Sequence, residues 1–103
     1  MFDKLEKASD RYRELERLLS APDAVSDAAR YRDLSKEYSA LTPVVTKYRE
    51  YKDAVRARDE ADELMHADES EPELRALAEE EYLAMKKEER RISDELRLLL
   101  IPK

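Results

Sequence analysis

An all-α helical bundle is what this sequence predicts, on three observations. Glycine is absent, 45% of the residues are charged, and apolar residues recur three and four apart over long stretches. Sheet-rich folds use glycine in their tight hairpin turns, where φ must be positive. A chain rich in Ala, Glu, Leu, Arg and Lys with helical periodicity instead reads as a helical hairpin or bundle. Its 42% apolar content sets it apart from a disordered acidic tail. At 103 residues it is expected to be a single helical domain over 1–103.

The first helix is expected over about 2–19. Leu5, Ala8, Tyr12, Leu15 and Leu19 form its apolar stripe, and Ser20-Ala21-Pro22 ends it, because proline cannot continue the ladder. The loop turns on Asp and Ser in place of glycine, with Ser26 as the expected N-cap of the next helix.

The second helix, over about 27–66, is the longest. Tyr31, Leu34, Tyr38, Leu41, Val45 and Tyr48 keep one stripe, which continues through Tyr51 or Lys52, Val55, Arg58 and Ala61 to Met65. At 1.5 Å per residue it would be roughly 50 to 60 Å long. Thr42-Pro43 would suit an N-cap and first turn. The stripe passes it in register, however, which favours one long helix kinked at Pro43 over two helices.

Ser70-Glu71-Pro72-Glu73 fits a capping box for a third helix over about 71–101. Ala78, Met85, Ile92 and Leu99 repeat every seventh position, with Leu74 and Leu96 on the same side. Tight turns would set residues equidistant from about residue 23, and from about residue 68, abreast of each other. Phe2 and Ile92 then fall near Val44. The expectation is an uneven three-helix bundle whose helices coincide over about 2–15, 31–44 and 92–101, with 45–66 and 70–91 a protruding antiparallel coiled-coil hairpin.

Several chemistries find no residues to carry them. There is no cysteine, hence no disulfide and no thiolate metal site. No cofactor or metal is expected, for want of a glycine-rich phosphate loop and of metal-ligand spacing. The single histidine, His66, falls at a helix end among acids, a place for a terminal or solvent role rather than catalysis. The tyrosines sit mostly on helical stripes and are expected to pack with wet hydroxyls. Lys47, Arg49, Lys52, Lys86, Lys87, Arg90 and Arg91 are interleaved with acids at helical spacing, so pairing along the helix is expected, with no sequence-specific nucleic-acid binding. The amino-terminal residues lack a signal-peptide core and no run approaches a membrane span, so the chain is read as soluble and cytoplasmic, and not as an enzyme.

The net charge of −6 is unevenly spread. Residues 59–81 hold eleven acidic side chains against Arg75 alone, while the rest carries nineteen basic against fifteen acidic. Such a run is most often a solvated face. Its sharper reading is a tip that meets a basic protein surface, with Glu63, Asp68, Glu69, Glu79, Glu80 and Glu81 as the partner-facing residues.

The strings RYRDLSKEYSALTPVVTKYREYKDA and ISDELRLLLIPK, with MFDKL and RYRELERLLSAPD before them, resemble the N-terminal helical domain of bacterial class I peptide chain release factors. The resemblance covers essentially the whole chain and is greatest to the release factor 1 type, which reads UAA and UAG. It implies a role in translation termination. It also implies docking on the ribosome, at the protein of the stalk base in the GTPase-associated centre, and contact with the GTPase release factor that recycles these proteins. In that family the stop-codon tripeptide and the Gly-Gly-Gln of peptidyl-tRNA hydrolysis lie further along. Neither is present in these residues, so no catalytic residue carries over. A self-standing coiled-coil adaptor or dimerisation module is the rival reading, since the same stripes could pack between chains.

Overall fold

The computed structural model of the chain describes residues 1–67 and 71–102. The described residues form three α-helices and no strand: α1 (Phe2–Leu19), α2 (Ala28–His66) and α3 (Pro72–Leu99). Among them, no helix is long and apolar enough to cross a membrane. Two compact units can be distinguished, Met1–Thr46 and Lys47–Lys103, with α2 contributing its first part to one and its second part to the other.

In Met1–Thr46, α1 buries Leu5, Ser9, Tyr12 and Leu15. Ser9 replaces the expected Ala8, which is half-buried. Residues 20–27 bring the chain back through a 3₁₀ turn at Ala24–Ser26, closed by hydrogen bonds from the Ala24 N–H to the Ala21 carbonyl and from the Ser26 N–H to the Asp23 carbonyl. Ser26 therefore belongs to the turn and does not cap α2. The cap is Asp27, whose Oδ1 accepts the Arg30 N–H at 3.1 Å and satisfies an amide that the first helical turn leaves without a partner.

The two helices of this unit meet through aromatic and ionic contacts. The Tyr12 and Tyr38 rings stack with centroids 4.3 Å apart. The Thr42 hydroxyl donates to the Tyr38 carbonyl at 2.8 Å, so its one proton is used and the Tyr12 hydroxyl must donate to Thr42 Oγ1, 2.9 Å away. Arg11 makes a two-pronged contact with Glu37, Nε to Oε2 at 2.7 Å and Nη2 to Oε1 at 2.8 Å. A symmetric turn about residue 23 would have set Tyr12 beside residue 34. The register is instead offset by about one helical turn. The connection is not a symmetric tight turn, because its own 3₁₀ turn, with Ala24 buried, lies on the α2 side.

α2 passes through Pro43 as one helix. Thr42 is not an N-cap, since its hydroxyl points back to Tyr38. Proline in a helix interior costs about 3 kcal/mol, through a lost hydrogen bond and a crowded carbonyl. Pro43 and Ser39, the residue whose carbonyl loses its usual donor, are both exposed, so water can serve that carbonyl.

In Lys47–Lys103, α2 and α3 are antiparallel. Lys47 pairs with Glu95 at 2.8 Å and Arg58 with Glu89 at 2.5 Å, and closer to the connection Leu64 and Leu74 line one groove. The α2 stripe in this unit is Lys47, Tyr51, Ala54, Arg58, Ala61 and Met65, all buried or half-buried. Of the two alternatives Tyr51 is half-buried and Lys52 exposed, and Ala54 takes the buried place expected for Val55, which is half-buried. On α3, Ala78, Ile92 and Leu96 are buried and Met85 is half-buried. Leu74 and Leu99, expected on the same side, are each 44% exposed. α3 ends two residues short of the expected 101, with the Leu100 and Ile101 amides returning to the Leu96 and Leu98 carbonyls before Pro102.

Candidate partner-binding site

The acidic run 59–81 occupies the end of α2 and the beginning of α3. α2 stops at His66, whose Nδ1 lies 2.8 Å from the Asp62 carbonyl oxygen and 3.3 Å from Asp62 Oδ1, the helix-terminal place expected for it. α3 starts with Pro72 at its first position, where a missing N–H costs nothing, after an extended Glu71 that makes no side-chain cap bond. Ser70, expected as that cap, lies outside the described residues, as do Asp68 and Glu69 of the expected tip. Glu63, Glu79, Glu80 and Glu81 are all exposed.

Glu81 lines a groove, which it shares with Glu60 across the two helices. The floor of that groove is alanine: Ala61 and Ala78 are buried and Ala57 is half-buried. Its walls are Leu64, Leu74 and Leu77, which are 42%, 44% and 62% exposed. A two-helix seam would ordinarily bury its leucines. Here alanines take the seam and leucines stand beside it, which leaves an open apolar groove with a carboxylate on each rim. Periodicity set Leu74 in the seam and gave no place to Leu64 and Leu77. The signal was Leu74 and Leu77 in consecutive turns beside Ala78, on a helix too poor in apolar residues to cover them.

Further along the same unit, Tyr51, Lys86, Glu89, Arg90, Ser93 and Arg97 line a second, polar cleft. Its charges are largely spoken for. Arg97 holds Asp94 at 2.9 Å, Arg58 holds Glu89, and Lys86 lies 5.5 Å over the Tyr82 ring. Burial, and then the Glu89 charge, push the Tyr51 phenol above its ordinary range. Contacts to Glu95 and then Glu50 raise Lys47, and Lys47 and then Arg91 lower Glu95. Arg91 pairs with Glu88 and Glu95 along α3, at 2.7 and 2.8 Å. Of the interleaved basic residues, Lys47 and Arg91 are thus paired with acids and Lys52 and Lys86 lie over rings.

The described parts make an all-α module whose distinctive chemistry is on its surface: a basic stretch interleaved with acids and an acidic, leucine-walled groove. That module is a PCRF domain; residues 8–103 match this family, and the chain belongs to it. It is 47% identical over 103 residues to peptide chain release factor 1 of Listeria welshimeri, 46% identical to that of Solidesulfovibrio magneticus and 39% identical to that of Chloroherpeton thalassium. Each alignment takes in the whole of this chain and 28% of the relative's length. The resemblance seen in the sequence therefore holds from end to end. No solved structure matches the chain.

Proposed function

We propose that residues 1–103 are the N-terminal helical domain of a class I peptide chain release factor acting in translation termination in the cytoplasm at UAA and UAG codons. In this reading they are one domain of a longer protein. The domain docks the factor on the ribosome, at the protein of the stalk base in the GTPase-associated centre. It also meets the GTPase that recycles the factor, while codon reading and peptidyl-tRNA hydrolysis are done by other parts of the factor. The observation that carries this reading is the identity to release factor 1 along the entire chain, combined with a span of only 28% of those relatives.

Charge supports the docking role. Eleven acids against one base in 59–81 repel phosphate and attract a basic protein surface. Lys47, Lys86 and Arg91 elsewhere in Lys47–Lys103 are engaged with acids or a ring, which disfavours sequence-specific nucleic-acid binding by this domain.

The test is the triple replacement Glu79→Lys, Glu80→Lys and Glu81→Lys in the full-length factor, with association to termination complexes followed by stopped flow. All three side chains are exposed, so the fold should survive. Slower association by about tenfold is expected, since steering charges act mainly on the on-rate. Unchanged kinetics would overturn the docking role of the acidic end.

A further inference from the structure

We infer that the groove between Leu64, Leu74 and Leu77 is a binding site for an amphipathic helix of a basic partner protein, one that seats apolar side chains on the alanine floor and sets lysines or arginines against Glu60 and Glu81. The inference rests on reading this domain as one that docks on protein, and it names the chemistry of the contact.

Three observations lead there. First, the groove is apolar along its floor and walls, while its rims carry Glu60 and Glu81. Leu64, Leu74 and Leu77 keep 42%, 44% and 62% of their surface exposed beside a seam in which Ala61 and Ala78 are 3% and 5% exposed. Second, the groove runs along two antiparallel helices for about two turns, from Ala57 to Leu64 on one and from Leu74 to Glu81 on the other. That length suits a third helix presenting residues at i, i+3, i+4 and i+7. Third, the surrounding charge selects the occupant. Residues 59–81 carry a net charge of about −10, counted from eleven acids and Arg75. A second copy of this chain would bring the same charge to the same place, and so would a phosphate backbone. A helix flanked by lysine or arginine is what complements both the leucines and the carboxylates.

The probe is a synthetic helical peptide of about four turns with leucine at i, i+3, i+4 and i+7 and lysine elsewhere, titrated into the isotopically labelled chain. Its control is a peptide of the same composition with the leucines scattered around the helix. Amide shifts confined to 57–64 and 74–81 are expected, with binding by the scattered peptide at least tenfold weaker. Leu77→Gln together with Leu74→Gln should weaken the patterned peptide at least tenfold and leave the helical circular dichroism unchanged, glutamine being a good helix former at exposed positions. Leu77→Met should retain binding.

Equal affinity for the two peptides, or none lost on replacing the leucines, would overturn the groove and leave only diffuse charge attraction. Self-association through this face, seen as a concentration-dependent mass abolished by the leucine replacements, would overturn it too. If the patterned peptide fails while the triple lysine replacement still slows ribosome association, the groove falls and the docking reading stands. If both fail, both fall.

Discussion

Met1–Thr46 and Lys47–Lys103 hold a helix pair together in different ways. In the first, large side chains carry the contact: Tyr12 lies flat on Tyr38 with its hydroxyl bonded to Thr42, and on the same helix Leu5 and Leu15 are almost wholly buried. Toward the connection of the second, the contact narrows to alanine, with Ala54, Ala61 and Ala78 inside and leucines at the margins. A leucine or tyrosine contact buries more area and fixes one rotameric fit. An alanine contact brings backbones close and frees larger residues for the surface. One part is built for packing, the other for presenting a surface.

The contrast can be broken most sharply at Leu15. Leu15→Ala should destabilise the chain by about 3 kcal/mol, read from urea unfolding followed by circular dichroism, because the transfer loss is joined by the cost of a cavity at a fully buried site. A loss below about 1 kcal/mol would mean that this contact relaxes as freely as a surface one. The opposite change probes the other unit. Ala61→Leu should destabilise by about 2 kcal/mol, since a larger side chain forced into a close seam must push the helices apart. If Ala61→Leu stabilised the chain instead, the seam would be underfilled, not closely fitted.

The smallest of these effects concerns Arg11 and Glu37. Hydrogen bonding to Arg11 holds the Glu37 carboxyl below its ordinary range. A carboxyl depressed in the folded state adds stability that is fully present above its unfolded value, about 4.3, and is lost as pH falls through the folded value. Both partners are more than a third exposed, so solvent and salt screen the pair. Thermal melts of the parent chain and of Glu37→Gln should differ slightly at neutral pH and converge in acid. A gap that stayed constant into strong acid would show that the pair contributes through packing, not charge.

Much of this architecture was legible in the residues. Pro22, Pro72 and Pro102 bracket the helices within two or three residues of where they lie, and the acidic run is exposed where it is described. The groove was not legible. Leu74 was expected in the seam because it shares a side with Ala78 and Leu96, and a stripe on one helix says nothing of how the partner is rotated against it. Charge alone marks the tip, whereas the groove is bordered by Glu81 and by Glu60, which is not among the expected tip residues, with Leu64 and Leu77 outside the expected stripes.

The sequence by itself determined that the chain is helical, that it has three helices with these approximate ends, and that its acids gather at 59–81. Each of these follows from local rules of periodicity, capping and proline, which need only near neighbours along the chain. Tertiary structure alone decided the one-turn offset that sets Tyr12 on Tyr38 and the choice of Ala54 over Val55 for the interior. These depend on how two helical surfaces fit. A shift of one residue turns a helix face by about 100°, and several such fits differ by only a few kcal/mol.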